Sequence, residues 1–83
     1  MTKYKSVWNV AVALGNLGDL QALPALARAL EADPEPLVRG HAAWAIGRIG
    51  GEHAAQELQK SLAAETDSAV RLEIKTAIKQ VIQ

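Results

Sequence analysis

The chain has 83 residues, enough for one small domain, and hydrophobic residues make up 49 % of it although it contains no Phe. Nine basic residues balance nine acidic ones, so no global field attracts nucleic acid or an anionic membrane. The absence of Cys excludes disulfides, thiolate metal sites and iron–sulfur ligation within this segment, and no apolar run reaches the roughly 18 residues of a membrane span.

The main organising feature is an internal repeat in which residues recur 32 positions apart, as from Ala11 to Ala43. A fixed period of this size is typical of solenoids built from pairs of helices. Within a unit, apolar residues follow a helical pattern, as at Val38, Ala42 and Ala45. The other matched pairs are Leu14 and Ile46, Gly15 and Gly47, Leu17 and Ile49, Gly18 and Gly50, Ala22 and Ala54, Leu26 and Leu58, Leu30 and Leu62, Val38 and Val70, and Arg39 and Arg71.

Helix start and stop signals divide the chain into five helices. Asp19 is placed to cap the second helix, and Pro24 loosens its first turn. Residues 33–36 separate the two units because residues before proline avoid the helical region, and Gly50 ends the third helix. The sequence therefore predicts an all-α fold, an α–α superhelix of about five antiparallel helices in two and a half repeats. The predicted helices are residues 4–17, 20–32, 36–49, 52–64 and 68–82.

The two terminal helices differ in polarity. The last has one apolar stripe and a charged outer face, which is typical of the end of a solenoid. The first is apolar almost all round and includes Val7, Trp8 and Val12, which we expect to dock against an upstream domain. The chain is then the C-terminal part of a longer protein. The alternatives are a terminus that self-associates through the first helix and a natural small protein that tolerates the exposure.

Residues 33–51 resemble a HEAT-like repeat of the phycobilin-lyase type, with the sequence Asp-Pro-x-Pro-Leu-Val-Arg-Gly-His-Ala-Ala-Trp-Ala-Ile-Gly-Arg-Ile-Gly-Gly. Residues 38–45, preceded by Ala-Val-Ala-Leu-Gly-Asn at residues 11–16, are similar to the C-terminal HEAT-like region of bacterial epoxyqueuosine reductases. The resemblance implies a cytoplasmic parent enzyme that carries iron–sulfur clusters and cobalamin upstream and reduces epoxyqueuosine to queuosine at the wobble position of tRNA. It also implies that this segment helps to hold the tRNA, while no cluster-ligating or cobalamin-binding residue maps onto it.

Basic residues on the predicted second helices are candidate contacts for RNA phosphates or for a protein partner. Arg28 and Lys60 lie one repeat apart, and in HEAT stacks the second helix of each pair lines the concave face. Arg48 follows Trp44 by one turn, and the indole is able to stack on a base or to pack on the upstream domain. The alternative is a solvated charged face for the cations and ordinary packing for Trp44.

Two arginines also share a repeat position. Asp33 lies ahead of Arg39, and Asp67 lies ahead of Arg71. We expect a structural ladder of Asp–Arg pairs that ties each inter-repeat turn to the next helix, with shielded pairs specifying geometry more than adding stability.

No pattern in the sequence indicates catalysis. His41 and His53 fall on different predicted helices without a third ligand at metal spacing, and the carboxylates are spread singly. The glycines at helix ends lack the strand context of a phosphate-binding loop. We therefore predict no catalytic, cofactor or metal site in this chain. Its function is either that of an RNA-handling accessory module or that of a protein–protein scaffold without nucleic acid, with an independent enzyme a distant third.

Overall fold

The computed structural model describes residues 20–81, which form a short 3-10 turn and four α-helices without any strand. The prediction of an all-α helical repeat is therefore confirmed. The turn spans Leu20–Ala22, and the helices are α1 (Leu23–Ala32), α2 (Pro36–Ile49), α3 (Glu52–Ala64) and α4 (Ser68–Val81). The predicted first helix lies outside the described residues, so the docking role predicted for Val7, Trp8 and Val12 stays a prediction.

Proline and glycine set the helix ends. Pro24 occupies the first turn of α1, where its missing N–H has no helical partner, and a 3-10 turn precedes it instead of a full helical turn. Pro36 begins α2, and Glu35 before it is extended at φ −91° and ψ 119°. Gly50 and Gly51 have φ values of 74° and 92°, a region that glycine enters without the cost of a Cβ, so the chain reverses there between α2 and α3.

The four helices pack in two layers. The first helices of successive units, α2 and α4, contact each other extensively, while α1 packs against α2 and α3 packs against α4. Aliphatic side chains from all four helices meet between the layers and are at most 2 % exposed. These are Leu30, Val38, Ile46, Leu58 and Ile74. Burial of each such side chain stabilises the fold by about 1.5–3 kcal/mol, and alanines fill most of the remaining core.

Helices α2 and α4, which share a layer, approach each other closely at Gly47. A Cβ built on Gly47 would lie 2.8 Å from the Cβ of Ala77 and 3.0 Å from its Cα. Helix α2 therefore presents a hydrogen atom where any other residue would present a Cβ, and α4 packs directly on its backbone. Within the described residues, no helix is both long and apolar enough to cross a lipid bilayer.

Candidate functional site

Arg39 anchors a highly connected polar cluster in the described part of the chain. Its Nε donates to Oε1 of Glu65 at 2.9 Å, and its Nη2 donates to Oε2 at 3.0 Å, which makes a bidentate pair across 26 residues of sequence. Its Nη1 donates to the backbone oxygen of Asp33 at 2.9 Å. The pair is shielded, since the side chains of Arg39 and Glu65 are only 16 % and 6 % exposed. One guanidinium thus joins α2 to the turn before it and to the turn of the following unit.

The charges in this cluster stabilise each other. The hydrogen bonds from Arg39 lower the pKa of Glu65 against the opposing effect of burial, and the backbone N–H of Asp67 contributes in the same direction as Arg39. The pKa of Arg39 is raised, chiefly by its hydrogen bonds to Glu65. Both groups are therefore charged over the whole physiological pH range.

Arg71 repeats part of this arrangement one unit later. Its Nη1 donates to the backbone oxygens of Leu62 at 2.8 Å and Glu65 at 3.0 Å, both at the end of α3. The bond from Arg71 to Glu65 spans the same six residues as the bond from Arg39 to Asp33. These bonds satisfy carbonyls that a helix end leaves without internal partners.

The structure corrects the predicted Asp–Arg ladder in its acceptors. The arginines bind backbone carbonyls and one glutamate, whereas the aspartate side chains accept from backbone N–H groups. Oδ1 of Asp33 accepts from Glu35 N at 2.9 Å. Oδ1 of Asp67 accepts from Ala69 N at 2.9 Å and Val70 N at 3.0 Å, which caps α4. The side chain of Asp67 is thus engaged by the start of α4, and that of Asp33 by the turn before α2.

Glu65 is the residue that sequence reasoning missed. It lies 32 positions after Asp33, and the two occupy equivalent places, each at the C-terminal cap of a helix with ψ values of 134° and 131°. Each also accepts a hydrogen bond from the backbone N–H two residues later. The 32-residue spacing therefore identifies Glu65 as the counterpart of Asp33. Matching by residue type points instead to Asp67, which is why Glu65 was missed.

The predicted cationic surface on the second helices is partly neutralised. Nζ of Lys60 lies 3.5 Å from Oε2 of Glu31, in an exposed pair between α3 and α1. Burial raises the pKa of Glu57, with Glu31 next to it acting in the same direction, and the hydrogen bond between the two carboxyls lowers the pKa of Glu31. Arg28 is exposed and forms no ion pair within residues 20–81. The face formed by α1 and α3 is thus mixed in charge.

Trp44 and Arg48 lie together on a different face. The guanidinium carbon of Arg48 is 5.7 Å from the centroid of the Trp44 ring, within the range of a cation–π contact. Trp44 is partly buried and packs against the hydrophobic core, in line with the ordinary packing considered for it, whereas Arg48 is exposed. The four candidate contact residues therefore fall into two sets on different helices: Arg28 lies on α1 and Lys60 on α3, whereas Trp44 and Arg48 both lie on α2.

The two histidines are not brought together. His53 is exposed near the start of α3, while His41 is half-buried on α2, and burial lowers the pKa of His41 against the opposing charge of Glu73. Among residues 20–81, no group of three or more His, Cys, Asp or Glu side chains is arranged to hold a metal ion.

Comparison with known proteins identifies clear relatives. The family model for HEAT repeats matches residues 5–79. An epoxyqueuosine reductase of Bacillus subtilis (strain 168) is 46 % identical over 70 residues, which cover 84 % of this chain and 18 % of that protein. A crystal structure of epoxyqueuosine reductase with a tRNA-Tyr epoxyqueuosine-modified tRNA stem loop superposes with a TM-score of 0.86 at 42 % identity, covering 92 % of this chain and 20 % of that one.

A different enzyme class also contains similar repeats. Deoxyhypusine hydroxylase-B of Oryza sativa subsp. japonica is 38 % identical over 72 residues, which cover 86 % of this chain and 24 % of that protein. The chain spans about a fifth of the length of the epoxyqueuosine reductases that it matches.

Proposed function

Because the chain belongs to the HEAT-repeat family, we propose that it is a non-catalytic binding and docking module of a cytoplasmic epoxyqueuosine reductase, in which it assists binding of the tRNA substrate. The observation that carries this proposal is the 46 % identity to such an enzyme over 84 % of the chain. The similarity in fold to an epoxyqueuosine reductase crystallised with a tRNA stem loop supports the choice of ligand.

The cofactors of such an enzyme belong to other parts of it. Iron–sulfur clusters are held by Cys thiolates, and this chain contains no Cys. Its residues therefore do not fit a cluster, and we propose that cobalamin also binds in the catalytic part of the enzyme. In this proposal the module provides binding surfaces that contact the phosphate backbone of the tRNA and the catalytic part of the enzyme.

The face formed by α1 and α3 is the first candidate for the RNA. Arg28 contributes an exposed cation there without an ion-pair partner in the described part of the chain, whereas Lys60 is countered by Glu31 at 3.5 Å. Trp44 and Arg48 on α2 form a second candidate, in which the ring and the guanidinium are already in contact. The two sets share no residue, so they are separable by mutation.

The test uses an epoxyqueuosine reductase that contains this segment, with tRNA binding measured over a range of salt concentrations. Arg28→Glu is expected to weaken binding and to reduce the slope of log affinity against log salt by about one, because one phosphate contact is lost. Lys60→Glu should have a smaller effect. Glu31→Gln should strengthen binding, since it releases the ammonium of Lys60 from its carboxylate.

Matched measurements separate the surfaces. Arg48→Glu tests the second set, and the isolated 83-residue chain should bind tRNA weakly because its formal net charge is zero. If Arg28→Glu and Arg48→Glu both leave the affinity and the salt slope unchanged, this module does not hold the RNA.

The second candidate function is a protein–protein scaffold of the HEAT type. The balanced charge and the Lys60–Glu31 pair favour it, since both reduce the attraction of this surface for phosphates. Docking to the catalytic part that is insensitive to salt, together with unchanged tRNA binding in the variants above, would support the scaffold over the RNA role.

A further inference from the structure

Arg71, on the outer side of α4, makes only some of the hydrogen bonds that Arg39 makes at the equivalent position one repeat earlier. In the preceding unit, Arg39 uses Nη1 for a backbone carbonyl and uses Nε with Nη2 for the carboxylate of Glu65. Arg71 uses Nη1 for two backbone carbonyls and, within residues 20–81, makes no hydrogen bond through Nε or Nη2. The Nε and Nη2 edge of the guanidinium binds a carboxylate in Arg39, and the same edge of Arg71 has no hydrogen-bond acceptor within residues 20–81.

The surroundings of this edge match a carboxylate in charge. A shallow depression beside Arg71 is lined in part by Leu72 and Lys75. Lys79 lies one turn beyond Lys75 on the same stripe, while the sole acidic residue of α4, Glu73, lies on the side that faces α2. The outer side of α4 thus presents three cations and no carboxylate of its own.

The residues on this side of α4 disfavour the packing of a further helix. The positions of α2 that face α4 are small: Gly47 lets the backbone of α4 approach closely at Ala77, and Gly40 leaves room for the side chain of Glu73. Their equivalents one repeat later are Leu72 and Lys79, whose side chains would keep another helix from packing as closely. An extended or turn segment fits this surface better than a further helix of the same kind.

We propose that Arg71, with Leu72 and Lys75, forms a docking site for a turn of another protein segment that carries a glutamate or aspartate next to apolar residues. The carboxylate takes the position at Arg71 that Glu65 takes at Arg39, where the planar guanidinium matches it bidentately. Leu72, which is 66 % exposed, supplies the apolar contact. That exposed leucine favours a protein over RNA, because a charged sugar–phosphate backbone offers little apolar surface to cover it. The inference does not depend on the tRNA role proposed above.

The experiment titrates the 83-residue chain with a synthetic peptide of residues 62–68, the turn whose Glu65 binds Arg39 in the fold. Nitrogen-15 NMR of the arginine Nε–H groups reports each guanidinium separately. We expect a saturable shift at Arg71 and none at Arg39, whose Nε is already bonded at 2.9 Å. The same peptide with Glu65→Gln should bind about tenfold more weakly, since the charge and one acceptor oxygen are lost.

Two variants of the chain test the site while keeping Arg71, whose Nη1 also holds two backbone carbonyls of the fold. Lys75→Glu and Leu72→Ser should each weaken binding of the peptide without changing the fold, because both side chains are exposed. Equal affinity for the original peptide and for the Glu65→Gln peptide would overturn the proposal. A shift of Arg71 with a tRNA stem loop but not with the peptide would reassign the site to phosphate. A shift caused by raising the protein concentration alone would reassign it to a second copy of the chain.

Discussion

Two glycines in α2 offer a matched test of how closely the helices pack. Replacing Gly by Ala in a helix interior favours the folded state by about 1 kcal/mol through backbone propensity. At Gly47 the new methyl would lie 2.8 Å from the Cβ of Ala77 and 3.0 Å from its Cα, so α4 has to move, and such overpacking costs about 1–3 kcal/mol. At Gly40 the nearest atom is the Cγ of Glu73 at 3.6 Å, an ordinary contact with a flexible side chain. The same substitution should therefore act in opposite directions at two positions of one helix.

The expected magnitudes are measurable by urea and thermal denaturation followed by circular dichroism. Gly40→Ala should raise the free energy of unfolding by about 0.5–1 kcal/mol, and Gly47→Ala should lower it by up to about 2 kcal/mol, which is the overpacking cost less the gain in propensity. For a domain of this size the two variants should then differ in Tm by roughly 10 °C. Adding Ala77→Gly to Gly47→Ala removes the Cβ contact and should restore part of the loss, as a coupling energy between touching residues. Equal stabilisation by both single variants would refute the close approach of α2 and α4.

Further predictions concern charge, pH and association. Arg39→Ala should lower the free energy of unfolding by about 1–3 kcal/mol, because it leaves shielded Glu65 without its partner. Since the folded-state pKa of Glu65 is lowered, its contribution is present above its ordinary pKa and is lost as the pH falls through the folded value, and Glu65→Gln should flatten this acid limb in pH-dependent denaturation. The pKa of His41 is also lowered, so stability should decline as the pH falls below about 6.5, and His41→Gln should remove that decline. Sedimentation of the isolated chain should show self-association through the first helix around Trp8, and a strict monomer at high concentration would contradict that prediction.

The helices could be predicted from the sequence because their boundaries depend on local chemistry. Pro36 and Gly50 bracket α2 at the predicted positions, since each constrains its own backbone whatever lies nearby. The start of α1 differs, because a 3-10 turn stands before Pro24 where the sequence pattern predicts the first turn of the helix.

The polar contacts could be predicted only in part because they depend on which turns meet in space. The repeat places Arg39 and Arg71 in equivalent positions, and both do reach back to the preceding turn. The carboxylate partner of Arg39 comes from the next unit, and a period read along one chain does not reveal which turn of that unit lies within reach. The sequence places Glu31 and Glu57 close enough to Arg28 and Lys60 to compete for them, but the pairing of Lys60 with Glu31 depends on the packing of α3 beside α1.

The helices are in tighter contact in one layer than in the other, and this difference determines how the stack can bend. Between α2 and α4 there is no slack, because α4 packs on bare backbone where Gly47 meets Ala77. Between α1 and α3 the contact includes the long, exposed side chains of Glu31 and Lys60, which can lengthen or re-pair at little cost. Bending should therefore pivot about the seam of α2 and α4 and open or close the α1–α3 side, so that binding of a ligand on that side is coupled to the curvature of the whole stack.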